Sequence, residues 1–165
     1  MISPELIRRY PFSAGLTEEE LILLAKSANE ETVEAGTYFF KEGDELNALY
    51  LVIEGAAAVV IEVPDHEADQ SVAGQLTGQI KTRDVVISAI GPGDVFAPSS
   101  LIPPHVASAS VKATTDCRVI KFDAVQLRQV FEENCHFGYR MVQKAAAVIR
   151  ERLQAMRIES LAHLV

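Results

Sequence analysis

Apolar residues recur with two different periods along this chain, and the switches between them mark its segments. Leu21, Leu24, Ala25 and Ala28 share one helical face, behind a Thr17 cap and the acidic first turn Glu18-Glu19-Glu20. That pattern predicts a helix over about residues 18–28. Before it, Pro11 stops any helix begun at Pro4. Short apolar runs then follow at 31–33, 38–40, 49–54, 56–63, 85–90, 95–96, 109–113 and 118–122, most of them separated by glycine turns. Many short strands closed by Gly36, Gly43, Gly55 and Gly93 predict a small barrel or jelly roll, with positive φ at those four glycines.

Between 64 and 83 the periodicity lapses into a polar stretch containing Gly74 and Gly78, expected as an extended hairpin tip or a mobile loop. His66 lies there beside Asp65, Glu67 and Asp69. One histidine among carboxylates without ligand spacing reads as a solvated charge run rather than a metal site. From residue 123 the helical period returns. Asp123 caps a helix over 124–132, Asn134 and Gly138 mark a break, and a long helix follows over about 137–162. Along it Val142, Ala146, Ile149, Leu153 and Met156 recur at heptad spacing. A helix of that length spans about 35 Å or more, longer than a small barrel needs to be covered. The seam is therefore expected to pair with a second copy in a homodimer, although the same stripe could pack on the barrel.

Composition narrows the function classes. The 165 residues carry a formal charge of -8, and 48% are hydrophobic, as expected for one globular domain with a substantial core. The acidic balance argues against nucleic acid and anionic membrane surfaces. Cys117 and Cys135 make no ligand-spaced set, which fits a reduced, cytoplasmic protein. No apolar run reaches the ~20 residues of a membrane helix, and the N-terminus does not read as a signal peptide. A hydrolase elbow, a paired-carboxylate motif and a clustered His/Glu metal set are all missing, so an enzyme is not expected.

Residues 91–113, GPGDVFAPSSLIPPHVASASVKA, carry the most specific pattern. They resemble the phosphate-binding cassette of the cyclic-nucleotide-binding domain family, Gly-Asp-x-Phe-Gly-Glu, a short apolar helix, then Pro-Arg-x-Ala-Ser/Thr-Val. Gly93, Asp94, Phe96, Leu101, Ala109, Ser110 and Val111 fit. The glycine ladder and the order of opening helix, strands, cassette and two C-terminal helices are also similar to the family's.

The resemblance implies a mainly β fold with flanking α-helices: a double-stranded β-helix (jelly roll) over about 30–122, an N-terminal helix, and two C-terminal helices over about 123–162. It implies a regulatory module in which an Arg holds the cyclic phosphate and a Glu the ribose. Pro98 stands in the Glu position and Ala107 in the Arg position. The implied pocket comprises Phe96, Ala97, Pro98, Ser99, Ser100, Leu101, His105, Ala107 and Ser108.

Weak or no binding of cyclic AMP and cyclic GMP is therefore expected, with no other cofactor. A second register places His105 in the Arg position, as a cation below its reference pKa of ~6.5; a genuine nucleotide sensor would use it with backbone N–H groups. A third reading is a protein-interaction module with a vestigial pocket. Because the sequence stops just after the long helix, a stand-alone sensor or one member of a multi-protein switch is expected.

Overall fold

A computed structural model describes residues 1–64, 72, 76, 82–162 and 164. The charge run around His66 and the terminal His163 lie outside the described residues. Among the described residues, eight strands form two four-stranded antiparallel sheets, ordered β1-β8-β3-β6 and β2-β7-β4-β5. The strands are β1 Ala28–Val33, β2 Tyr38–Phe40, β3 Ala48–Glu54, β4 Ala57–Pro64, β5 Thr82–Ile90, β6 Val95–Phe96, β7 Ser110–Ala113 and β8 Cys117–Asp123. Helices α1 Pro4–Arg8 and α2 Glu18–Lys26 precede this jelly roll; α3 Ala124–Glu133 and α4 Cys135–Ala162 follow it.

Strand alternation splits the core into two layers. Leu49 and Leu51 of β3, with Ile120 and Phe122 of β8, face Ile7, Leu24, Leu127, Phe137 and Met141 of the helices. Tyr50 and Val52 point the other way, between the sheets, and meet Phe96, Val59, Val111 and Val119. β3 is thus covered on both faces, which explains its unbroken apolar run.

The sequence placed the end of α2 at Ala28 and the start of β1 at Glu31. Instead α2 stops at Lys26, and Ser27 donates its hydroxyl to the Leu24 carbonyl at 2.8 Å. Ala28 already pairs with Phe122, and β1 runs in full register along β8. Asn29, Glu30 and Glu31 hide the strand from a hydrophobicity reading, because the backbone ladder to β8 recruits them.

Gly138 was also read as part of a break, yet it lies inside α4. A Cβ there would sit 2.8 Å from the Phe131 Cβ, so its role is close packing of α4 on α3. The break itself is at Asn134, whose side-chain oxygen accepts from the Phe137 N–H at 3.1 Å. Asp123 caps α3 as expected, accepting from Gln126 N–H at 3.0 Å. All four turn glycines adopt positive φ.

Glu20 links the two ends of the chain. Thr17 and Glu20 form a reciprocal capping box, and Glu20 also receives Arg140 Nη1 of α4 at 2.7 and 2.8 Å. Glu20 is 4% exposed. Burial pushes its pKa up, but the Thr17 N–H and Arg140 outweigh burial and hold it below the ordinary value. The stability this contributes is present above the unfolded carboxylate pKa and is lost as pH falls through the folded one. Arg140→Ala should therefore cost about 2 kcal/mol at neutral pH, with the difference from wild type shrinking in acid. Urea denaturation at several pH values measures this; a cost that does not change with pH would refute the ion-pair account.

Candidate functional site

The cassette begins at β6 and leaves it through Ala97, whose φ of 62° is left-handed. Pro98–Leu101 then make one 3-10 turn, with Pro98 in its first positions. The short helix expected from the sequence is this single turn. The chain returns through Ile102 and the two prolines to His105, also left-handed at φ 61°. It is then tied to the β2–β3 connection: Ala107 N–H donates to the Asp44 carbonyl at 2.8 Å, and Gly43 N–H to the Ala107 carbonyl at 2.9 Å. Ser110 accepts from Glu42 N–H at 2.9 Å. Asp94 accepts from Gly91 N–H at 2.9 Å. Of the residues that fit the family pattern, Asp94 and Ser110 therefore hold loops in place.

These connections leave a cleft of about 60 Å³. Ala97, Pro98 and Ser99 form one wall, Ala107, Ser108 and Ala109 another, and Phe40, Val59 and Val111 are among the apolar lining residues. Ile149 and Arg152 of α4 complete the lining. Five expected pocket residues thus come together: Ala97, Pro98, Ser99, Ala107 and Ser108. The other four are not among the lining residues. Phe96 is fully buried and stacks on Tyr50 with ring centroids 4.8 Å apart. Leu101 belongs to the helix-facing core. Ser100 is fully buried, and its hydroxyl has no partner among the described residues. His105 lies near Arg128 and Glu45; burial and then Arg128 push its pKa down, against a smaller opposing effect of Glu45. At neutral pH this favours the uncharged imidazole.

Arg152 lies off the heptad seam that the sequence singles out on α4. It lies on the barrel-facing stripe of α4, after Phe137, Met141, Ala145 and Val148, at spacings of four, four, three and four. Extending that stripe by one step would have found it. Burial pushes the Arg152 pKa down, partly opposed by Asp94. Its Nη2 donates to the Val95 carbonyl at 3.4 Å.

Beside it, a larger crevice of about 560 Å³ runs between α4, the Pro11-Phe12 turn and the β5–β6 connection. It contains Lys144, Arg152, Asp94 and Glu151. Lys144 is committed to the Ala14 carbonyl at 2.6 Å. Among the described residues no group of three His, Cys, Asp or Glu is placed to hold a metal, and no helix is long and apolar enough to cross a membrane. Cys117 is buried and Cys135 exposed; neither is in a disulfide.

The seam residues Val142, Ala146, Ile149, Leu153 and Met156 lie mainly on the outer side of α4. The four larger ones are 40 to 56% exposed. Ile149 has two roles in the geometry, since it also lines the cleft.

Comparison with solved structures reproduces the architecture. A protein of Geobacter metallireducens, provisionally described as a cyclic nucleotide-binding protein, superposes with a TM-score of 0.75 and 29% identity, covering 93% of this chain and 99% of its own. A cyclic nucleotide-binding domain from Methylobacillus flagellatus shares the fold with a TM-score of 0.72 at 16% identity, covering 96% of this chain and 80% of its own. Among curated proteins, a CRP-like cAMP-activated global transcriptional regulator of Mycobacterium tuberculosis is 20% identical over 146 residues, 88% of this chain. The chain spans 58% of that relative's length. The sequence profile of the cyclic nucleotide-binding domain matches residues 30–134, from β1 through the cassette to the end of α3. With jelly roll, cassette turn and flanking helices in the same order, the chain belongs to the cyclic nucleotide-binding domain family.

Proposed function

We propose that this chain is a non-catalytic regulatory module whose cassette binds cyclic AMP and cyclic GMP weakly or not at all near pH 7. The observation that carries this reading is the composition of the cleft walls. The barrel's walls, Ala97, Pro98, Ser99, Ala107 and Ser108, offer two hydroxyls but no carboxylate for a ribose and no cation for a phosphate, and Arg152, which reaches the lining from α4, donates to the Val95 carbonyl. Lacking the partner of a desolvated phosphate charge costs on the order of 3–5 kcal/mol, or two to four decades in affinity. Size adds to this. A cleft of about 60 Å³ is well below the roughly 300 Å³ at which small-molecule pockets begin, so a nucleotide must also displace Ile149 and Arg152. Calorimetry with either cyclic nucleotide should give a Kd of about 100 µM or weaker. Submicromolar binding to the unmodified protein would overturn the reading.

The outer face of α4 supports self-association as the second part of the proposal. Val142, Leu153 and Met156 present a heptad-spaced apolar strip that the barrel leaves exposed, and the small Ala146 permits close approach of a second helix. Val142→Glu together with Leu153→Glu should convert a dimer to a monomer in light scattering. The exposed positions should leave fold stability within about 0.5 kcal/mol. Ile149 is avoided because its substitution would also alter the cleft. A native chain that is already monomeric at tens of micromolar sinks the idea. The net charge of -8 disfavours duplex DNA contact by this chain. On this reading its output passes through α4 to a second copy or a partner protein.

A further inference from the structure

Four charged side chains share the larger crevice, two of each sign: Lys144, Glu151 and Arg152 from α4, and Asp94 from the β5–β6 connection. Among the described residues none of the four is in an ion pair. Lys144 is satisfied locally. It donates to the Ala14 carbonyl at 2.6 Å, and its Nζ lies 5.7 Å from the centroid of the Phe12 ring. Arg152 is not. Of its five N–H donors, one is used among the described residues, in the contact to the Val95 carbonyl at 3.4 Å. That contact and the charge of Asp94 acting on it place the guanidinium in this crevice. It is half-buried, and a cation taken out of water without a carboxylate is under-satisfied. Asp94 spends one carboxylate oxygen on the Gly91 N–H. Glu151 stands exposed at the crevice edge.

Much of the remaining lining is apolar. Phe12, Ile90 and Val148 offer surface, and the small Ala147 and Ala155 leave room beside the helix. The volume of about 560 Å³ falls within the roughly 300–1,000 Å³ of small-molecule sites. A ligand of one charge sign would meet repulsion from half of the charged lining. A ligand carrying both signs and an apolar body meets none. An α-amino acid has that chemistry. Its carboxylate matches the planar guanidinium fork. Its ammonium brings three donors to two carboxylates. Its side chain covers the apolar surface, and an aromatic one adds a ring contact with Phe12.

We propose that the crevice between α4, the Pro11-Phe12 turn and the β5–β6 connection binds a zwitterionic α-amino acid with an aromatic or branched apolar side chain. Arg152 takes the carboxylate, and Asp94 and Glu151 take the ammonium. The site is separate from the cassette cleft and does not depend on what that cleft accepts. A ligand there touches the last helix, the opening turn and the barrel together, so its occupancy ties α4 to the barrel.

Calorimetry and thermal unfolding of the full chain are run with L-phenylalanine, L-leucine, glycine, N-acetyl-L-phenylalanine and L-phenylalaninamide. Phenylalanine and leucine should bind saturably and raise Tm. Glycine lacks the apolar body, and the two blocked analogues each lack one charge; all three should bind at least about tenfold more weakly. Arg152→Gln should weaken phenylalanine binding about tenfold to a hundredfold, and Arg152→Lys should retain part of it. Arg150→Gln, on an exposed position of the same helix outside the crevice, should bind as wild type. If Arg152→Gln fails to fold, Ala147→Trp keeps every charge and fills the space from an exposed position; it should abolish binding.

Absence of saturable binding by both amino acids overturns the inference. So does equal binding of the blocked analogues, which would reveal an apolar surface without charge recognition. Unchanged phenylalanine binding in Arg152→Gln or in Ala147→Trp places the ligand elsewhere and overturns it as well. Each of these results leaves the cyclic nucleotide reading of the cassette untouched, because that reading is measured with a different ligand at a different site.

Discussion

Ala107→Arg combined with Pro98→Glu should tighten cyclic AMP binding by about two to four orders of magnitude, as each new side chain supplies a charge-assisted contact of about 1.5–3 kcal/mol. Both positions line one cleft, so the new groups are placed around a single ligand. Pro98 opens the 3-10 turn, where replacing the proline adds an N–H that points outward from the turn. Ala107 is held by backbone bonds to Gly43 and Asp44, and those do not depend on its side chain. Two effects oppose the gain. The new arginine lies in the same cleft as Arg152, and Ile149 and Arg152 must swing aside to admit a nucleotide. Calorimetry on the double variant and on each single variant measures the gain and its additivity. The single Arg should contribute more than the single Glu, because it meets the ligand's formal charge. If the double variant binds no better than the unmodified chain, the missing side chains are not what limits affinity. The closed position of α4 then becomes the explanation.

Gly55→Ala should be the most damaging single-methyl change in the barrel, costing about 3 kcal/mol or more. Gly55 turns β3 into β4 at φ 92°, and a Cβ built on it would meet the Asp116 carbonyl oxygen at 2.3 Å and the Cys117 Cα at 3.0 Å. Both neighbours are backbone, and Cys117 is fixed by its pairing with Val33 of β1, so they cannot give way cheaply. Gly36 is the internal control. It has nearly the same φ, 85°, with nothing within 4 Å of a built Cβ. Gly36→Ala carries the left-handed penalty alone, about 1–2 kcal/mol. Guanidinium denaturation of the two variants compares them directly. Equal costs would show that the β3–β4 turn is not pressed against the Asp116 strand connection.

These two sites illustrate what could be read from the chain beforehand. The four turn glycines were legible because left-handed backbone in tight turns between short apolar runs favours glycine. The strands 38–40 and 95–96 were legible to the residue, and the Asp123 cap followed from local hydrogen bonding. The absence of an arginine and a glutamate at positions 107 and 98 is likewise a property of the sequence, and the cleft walls inherit it.

Tertiary structure decided the rest. β1 begins at Ala28 because β8 offers a ladder to Asn29, Glu30 and Glu31, and no local pattern reports a partner strand nearly ninety residues away. Gly138 looked like a helix breaker, yet it is a contact point for Phe131; packing distance is not encoded in residue type alone. The strict seam on α4 drew attention away from the looser stripe beside it. That stripe packs on the barrel and carries Arg152 to the cassette, while the seam stays largely exposed, with Ile149 also lining the cleft. Sequence thus determined the order of the strands and helices, the turn chemistry and the uncharged residues at positions 98 and 107, because each is read from the chain itself. Which side chain of the last helix reaches the cleft was decided by the docking of that helix, and docking depends on the whole surface that receives it.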